Sequence, residues 1–73
     1  LNLFTVESNI SKKLAAIQNK YKKTVEIGSY PFFRLGKIGV SIVSRSTSNK
    51  QLNKVYKELL KLAKLKKIKI LNI

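Results

Sequence analysis

Hydrophobic positions along this chain switch between a period of two and a period near 3.6, the periods of strands and helices. Leu1 to Glu7 alternates, with Phe4 and Val6 on one side and Leu3 and Thr5 on the other, as a strand entering a sheet would. Ser8 and Asn9 then supply N-cap chemistry, because a short side-chain oxygen accepts from the orphan amides of a first turn. A helix is expected from there to about Lys22. Its apolar stripe is Ile10, Leu14, Ile17 and Tyr21, and the surrounding lysines, from Lys12 to Lys23, fall mostly off that stripe.

Thr24 to Gly28 returns to alternation, with Val25 and Ile27 against Thr24 and Glu26. Gly28 and Pro31 then read as punctuation: glycine tolerates unusual backbone angles, while proline withdraws a donor and pushes Tyr30 towards extended geometry. The expectation is a strand ending in a fixed corner, with Ser29 to Leu35 leading to a third strand. Ile38, Val40 and Ile42 alternate with Gly39, Ser41 and Val43 and should face the core. Gly36-Lys37-Ile38-Gly39 matches the Gly-x-x-Gly backbone clamp of KH nucleic-acid domains, but the clamp joins two helices and strands flank it here.

The polar run Ser44 to Asn49 ends in Ser48, which forms a capping box with Gln51 for a second helix reaching about Leu65. Leu52, Val55, Leu59 and Leu62 make its stripe, widened by Tyr56 and Ala63. Ile68 to Ile73 alternates as a last short strand. The order β-α-β-β-α-β, with each helix apolar on one face, predicts an α+β ferredoxin-like two-layer sandwich: a four-stranded antiparallel sheet with two helices on one face. That architecture hosts many functions, so function must come from sites.

Composition narrows the chemistry. Seventy-three residues make a single small domain, residues 1–73, and a chain without Met that begins at Leu1 is expected to be a piece of a longer protein. Cys and His are absent, and Glu7, Glu26 and Glu58 are the only acidic side chains. The usual nucleophiles, general bases and zinc ligands are therefore nearly all missing, and self-contained catalysis is not expected. No apolar run is long enough to cross a bilayer and no signal-peptide pattern is present, so no membrane partner and a cytoplasmic location are expected. Sixteen Lys and Arg residues give a net charge of +13, which favours polyanionic partners. Only Arg34 and Arg45 are arginines, however, and lysine carries charge without the fork that grips phosphate or reads guanine.

Thr5-Val6-Glu7-Ser8-Asn9-Ile10 before the first helix, Val25 through Pro31 after it, and Val40-Ser41-Ile42-Val43-Ser44-Arg45-Ser46 before the second helix carry a resemblance. The set resembles the small KH-like subdomain that follows the molybdopterin-binding-like domain of CinA-related proteins, and the equivalent part of eukaryotic FAD synthases. Family members show Glu-Ser-Asp-Ile, a helix, Ile-Gly-Ser-Tyr-Pro, and a strand ending near Ser-Arg. The resemblance covers nearly the whole chain, with Asn9 in place of the common Asp, a change between residues that cap helices about equally well.

The resemblance implies a non-catalytic accessory subdomain packing on a nucleotide- or pterin-binding domain of the same parent protein. The larger domain's family is credited with metal-dependent pyrophosphatase activity on substrates such as ADP-ribose or FAD. Any divalent metal would belong to that larger domain, and this chain itself is expected to hold no cofactor. Glu7, Ser8, Gly28, Ser29, Tyr30 and Pro31 match the recurrent family positions and are candidates for the interface or cleft edge. Phe32 and Phe33 join them, because two adjacent aromatics do not easily enter one small core. The alternative from a different class is a basic single-stranded nucleic-acid-binding module, acting through its Lys-rich surface and aromatic, Gly-rich corners.

Overall fold

The computed structural model describes residues 1–71. Six elements follow the expected order: β1 (Asn2–Phe4), α1 (Glu7–Tyr21), β2 (Glu26–Arg34), β3 (Lys37–Arg45), α2 (Asn49–Leu65) and β4 (Lys69–Leu71). All strand pairs are antiparallel and the sheet order is β2-β3-β1-β4, so β1 and β3 are central and β2 and β4 are edges. The fold is the ferredoxin-like sandwich. The last-strand expectation holds for Lys69 to Leu71, while Asn72 and Ile73 lie outside the described residues.

The core forms between the helices and one face of the sheet. Leu3, Val40 and Ile42 come from the sheet, Ile10, Leu14 and Ile17 from α1, and Val55, Leu59, Leu62 and Ala63 from α2. Each stripe read from periodicity is therefore the buried face, with Tyr21 and Leu52 half-buried at its margin. Tyr56 and Ile38 depart from expectation: both are exposed, Ile38 by 55%, because it sits beyond the last β1 partner, where no helix reaches.

Two local expectations are corrected. Ser8 and Asn9 do not cap α1: the helix starts earlier, at Glu7, with Val6 in the extended N-cap conformation and no side-chain cap. The Asn9 side-chain amide donates instead to the Thr5 hydroxyl at 3.0 Å. Ser48 does cap α2, accepting from the Gln51 amide at 3.3 Å.

The second correction concerns Gly28 to Pro31, which form no corner. They lie inside a nine-residue strand, β2, paired residue for residue with β3 from Glu26↔Arg45 to Arg34↔Lys37. The actual turn is Leu35-Gly36, both with positive φ (55° and 72°), the signature of a tight two-residue hairpin turn. Proline fits β2 because β2 is an edge. The Leu1 nitrogen donates to the Ile42 carbonyl and the Ile42 amide donates back to Leu1, so Ile42, and two residues earlier Val40, point their backbone polar groups at β1. Pro31 opposite Val40 therefore turns its donor-less nitrogen to the open edge, the position where a strand proline costs no ladder bond.

Candidate functional site

Strand alternation decides where the candidate residues go. Positions directly opposite one another share a face, so Leu3, Val40 and their neighbours Ser29, Pro31 and Phe33 belong to the helix side of the sheet. Gly28, Tyr30, Phe32 and Arg34 point to the helix-free side, with Asn2, Phe4, Lys37 and Arg45. The recurrent segment is thus divided between two surfaces rather than gathered at one corner.

On the helix side, the structure joins two of the candidates. The Ser29 hydroxyl donates to Glu7 Oε1 at 3.1 Å, tying the first turn of α1 to the middle of β2 across 22 residues of sequence. The Gln18 side-chain amide donates to the Ile27 carbonyl at 3.1 Å, so α1 lies along this edge strand. Glu7 also sits in the helix first turn, where a negative charge opposes the positive end of the dipole. Ser8 is exposed and takes no part in the link. Further along, the hairpin overhangs the rest of the sheet, because β1 pairs with β3 only at Val40 and Ser41. Phe33 (73% exposed), Leu35 (77%) and Ile38 make its tip apolar on this side. Phe33 and Ile38 are a direct cross-strand pair.

On the open side, glycines make room for rings. A Cβ at Gly39 would collide with the Phe32 ring, and one at Gly28 would lie 2.9 Å from the Tyr30 hydroxyl, so each ring rests on a bare stretch of backbone. Gly28 is thus needed for space, without a positive φ. Phe4 on β1 meets Phe32 at a centroid distance of 6.1 Å and a tilt of 59°, and Lys37 Nζ stands 5.6 Å from the Phe4 centroid. The pairing of Phe4 with Phe32 across three strands was not visible in sequence, since it depends on register.

Gly36-Lys37-Ile38-Gly39 spans the hairpin turn and the start of β3, so the KH-type clamp between two helices is not formed. Among the described residues no group of three or more His, Cys, Asp or Glu side chains comes together. The carboxyl group with the clearest perturbation, Glu58, serves the helix layer. The Tyr21 hydroxyl, and then the Lys20 ammonium at 3.3 Å, hold it below its ordinary range, against an opposing push from burial. The same contact with Glu58 pushes the Tyr21 phenol up. This cluster straps α1 to α2.

Fold and surfaces together define a small, strongly basic α+β domain with an apolar hairpin tip and an aromatic open sheet face. The chain belongs to the family described as FAD synthase, middle domain, whose profile matches residues 1–72. No curated protein and no solved structure matched it in the corresponding comparisons. Among the described residues, no helix is long and apolar enough to cross a membrane.

Proposed function

We propose that this chain is a non-catalytic accessory domain of a larger protein, packing on a molybdopterin-binding-like domain of the CinA-related kind that binds a nucleotide or pterin ligand. The observation that carries the reading is the match of the whole chain to a domain described as the middle one of FAD synthase. The exposed tip of the β2–β3 hairpin supports it: Phe33, Leu35 and Ile38 are large apolar side chains that the domain's own core leaves uncovered. In this reading Glu7 and Ser29 brace the edge strand that carries the tip, and Pro31 and Phe33 meet the neighbouring domain. Metal-dependent pyrophosphatase chemistry and its divalent metal belong to that neighbour, and the location is cytoplasmic.

The test has two arms. The 73-residue chain is incubated with FAD or ADP-ribose and Mg²⁺ or Mn²⁺, and products are followed by chromatography. No turnover is expected, and hydrolysis would end the non-catalytic assignment. In the second arm the chain is titrated calorimetrically with the molybdopterin-binding-like domain of the same parent. Phe33→Ser with Ile38→Ser should weaken binding about tenfold or more, as loss of apolar anchors does. Unchanged affinity would move the interface elsewhere.

A further inference from the structure

The open face of the sheet carries chemistry that the accessory reading does not use. Both arginines of the chain, Arg34 and Arg45, lie on it at opposite ends of the β2–β3 ladder, although arginine is rare here beside fourteen lysines. Between them stand Tyr30, Phe32 and Phe4, half of the chain's six aromatic residues. Tyr30 is 56% exposed, its ring lying back over Gly28. A recess of about 280 Å³ beside Phe32, lined also by Asn2, Phe33, Arg34, Ser41 and Leu71, opens to solvent. Aromatic cover of glycine explains why one ring would rest on Gly39. It explains the ring on Gly28 in the same way, but not a third ring on the adjoining strand or the presence of both arginines on this face.

We propose that this helix-free face binds single-stranded nucleic acid, with Tyr30 and the Phe4–Phe32 pair as stacking surfaces and Arg34, Lys37 and Arg45 holding the phosphate backbone. Rings presented by a sheet stack unpaired bases of any sequence, and arginine adds both charge and a planar surface. Charge complementarity selects this occupant over a protein partner. Glu26, opposite Arg45, is the one acid that the register places on this face, within a chain of net charge +13. Two of these rings stand on the edge strand β2, so the bound nucleic acid would run along the hairpin rather than across the middle of the sheet. By register the rings and arginines project from the opposite side of β2 to Phe33, although Phe33 also borders the recess beside Phe32.

The experiment is fluorescence anisotropy of the full 73-residue chain with labelled oligo-dT, oligo-U and a duplex of equal length, from about 50 to about 300 mM KCl, a range over which screening tightens steadily. Binding to both single strands, tighter than to duplex, is expected. Tyr30→Ser should weaken it about fivefold or more, the loss of one stacked base. Arg34→Gln with Arg45→Gln should lower the salt slope by about 1.4, at roughly 0.7 per phosphate contact on single strands. Lys12→Gln with Lys57→Gln, on the helices, removes the same two charges and should change the slope by less. Circular dichroism confirms folding of each variant, and the exposed arginine pair serves if Tyr30→Ser perturbs the sheet. Absence of binding at 50 mM salt, equal effects of both charge pairs, or a preference for duplex overturns the proposal. So would protection of this face by a neighbouring domain in the full-length parent, read by hydrogen exchange.

Discussion

At the scale of single residues, the two ring-bearing glycines separate cleanly. Gly39 is buried beneath the Phe32 ring, and a methyl group there would meet three ring carbons within 2.7 Å. Gly39→Ala is therefore expected to cost about 1–3 kcal/mol, the range of overpacking, because a ring wedged against Phe4 has little room to retreat. Gly28→Ala should cost clearly less, since what it meets is chiefly the hydroxyl end of an exposed Tyr30. Urea denaturation of the two variants checks the order, and equal losses would refute the role given to the rings. These residues also mark where sequence reading failed. Gly28 and Pro31 look like a corner to any rule based on local punctuation. What kept the strand going was the edge position of β2, a property of the sheet order and invisible in the segment itself. Glu7 and Ser29 belong together for a similar nonlocal reason, and only the resemblance had set them side by side as candidates.

At the scale of elements, two turns use residues that dislike the conformation they adopt. Leu35 holds φ at 55° in the hairpin turn, and Lys67 holds 54° just past α2. Lys67 completes a full helix stop: its amide donates to the Lys64 carbonyl and the Ile68 amide donates to Ala63 at 2.9 Å, with Ile68 packed on the core. Left-handed geometry costs a side-chain-bearing residue about 1–2 kcal/mol. Lys67→Gly should accordingly raise the thermal midpoint, and Leu35→Asn should do the same at the hairpin while leaving the core intact. A fall in either midpoint would show that the replaced side chain contributes more than its backbone strain costs. The helices and central strand were legible because burial follows their stripes closely. The start of α1 was not, because Val6 caps it by backbone conformation alone, without the side-chain signal that Ser48 gives for α2.

At the scale of the whole molecule, the strap between the helices is expected to make stability depend on pH. Glu58 is held below its ordinary value by Tyr21 and Lys20. A depressed carboxyl contributes stability that is complete above the unfolded value, about 4.3, and is lost as pH falls through the lower folded value. Thermal melts should therefore fall off below about pH 4.3, and Glu58→Gln should flatten part of that decline. An identical acid limb in the variant would locate the dependence elsewhere. The architecture as a whole was readable from the alternation of periods, and so was the absence of the usual catalytic side chains. The division of one recurrent segment between two surfaces was not, because it required the register of β2 on β3.

Pro31 has one more consequence, for the behaviour of many copies together. An exposed nine-residue edge is a template on which another chain's strand can add, and each free amide along it is a foothold. The proline removes a foothold near the middle of that edge, and mutual repulsion between copies of charge +13 keeps them apart. Salt of about 1 M shortens the reach of that repulsion to about 3 Å and leaves the proline as the remaining guard. Pro31→Thr should then be soluble in dilute buffer yet assemble into thioflavin-positive fibrils in concentrated salt, where the parent chain stays dispersed.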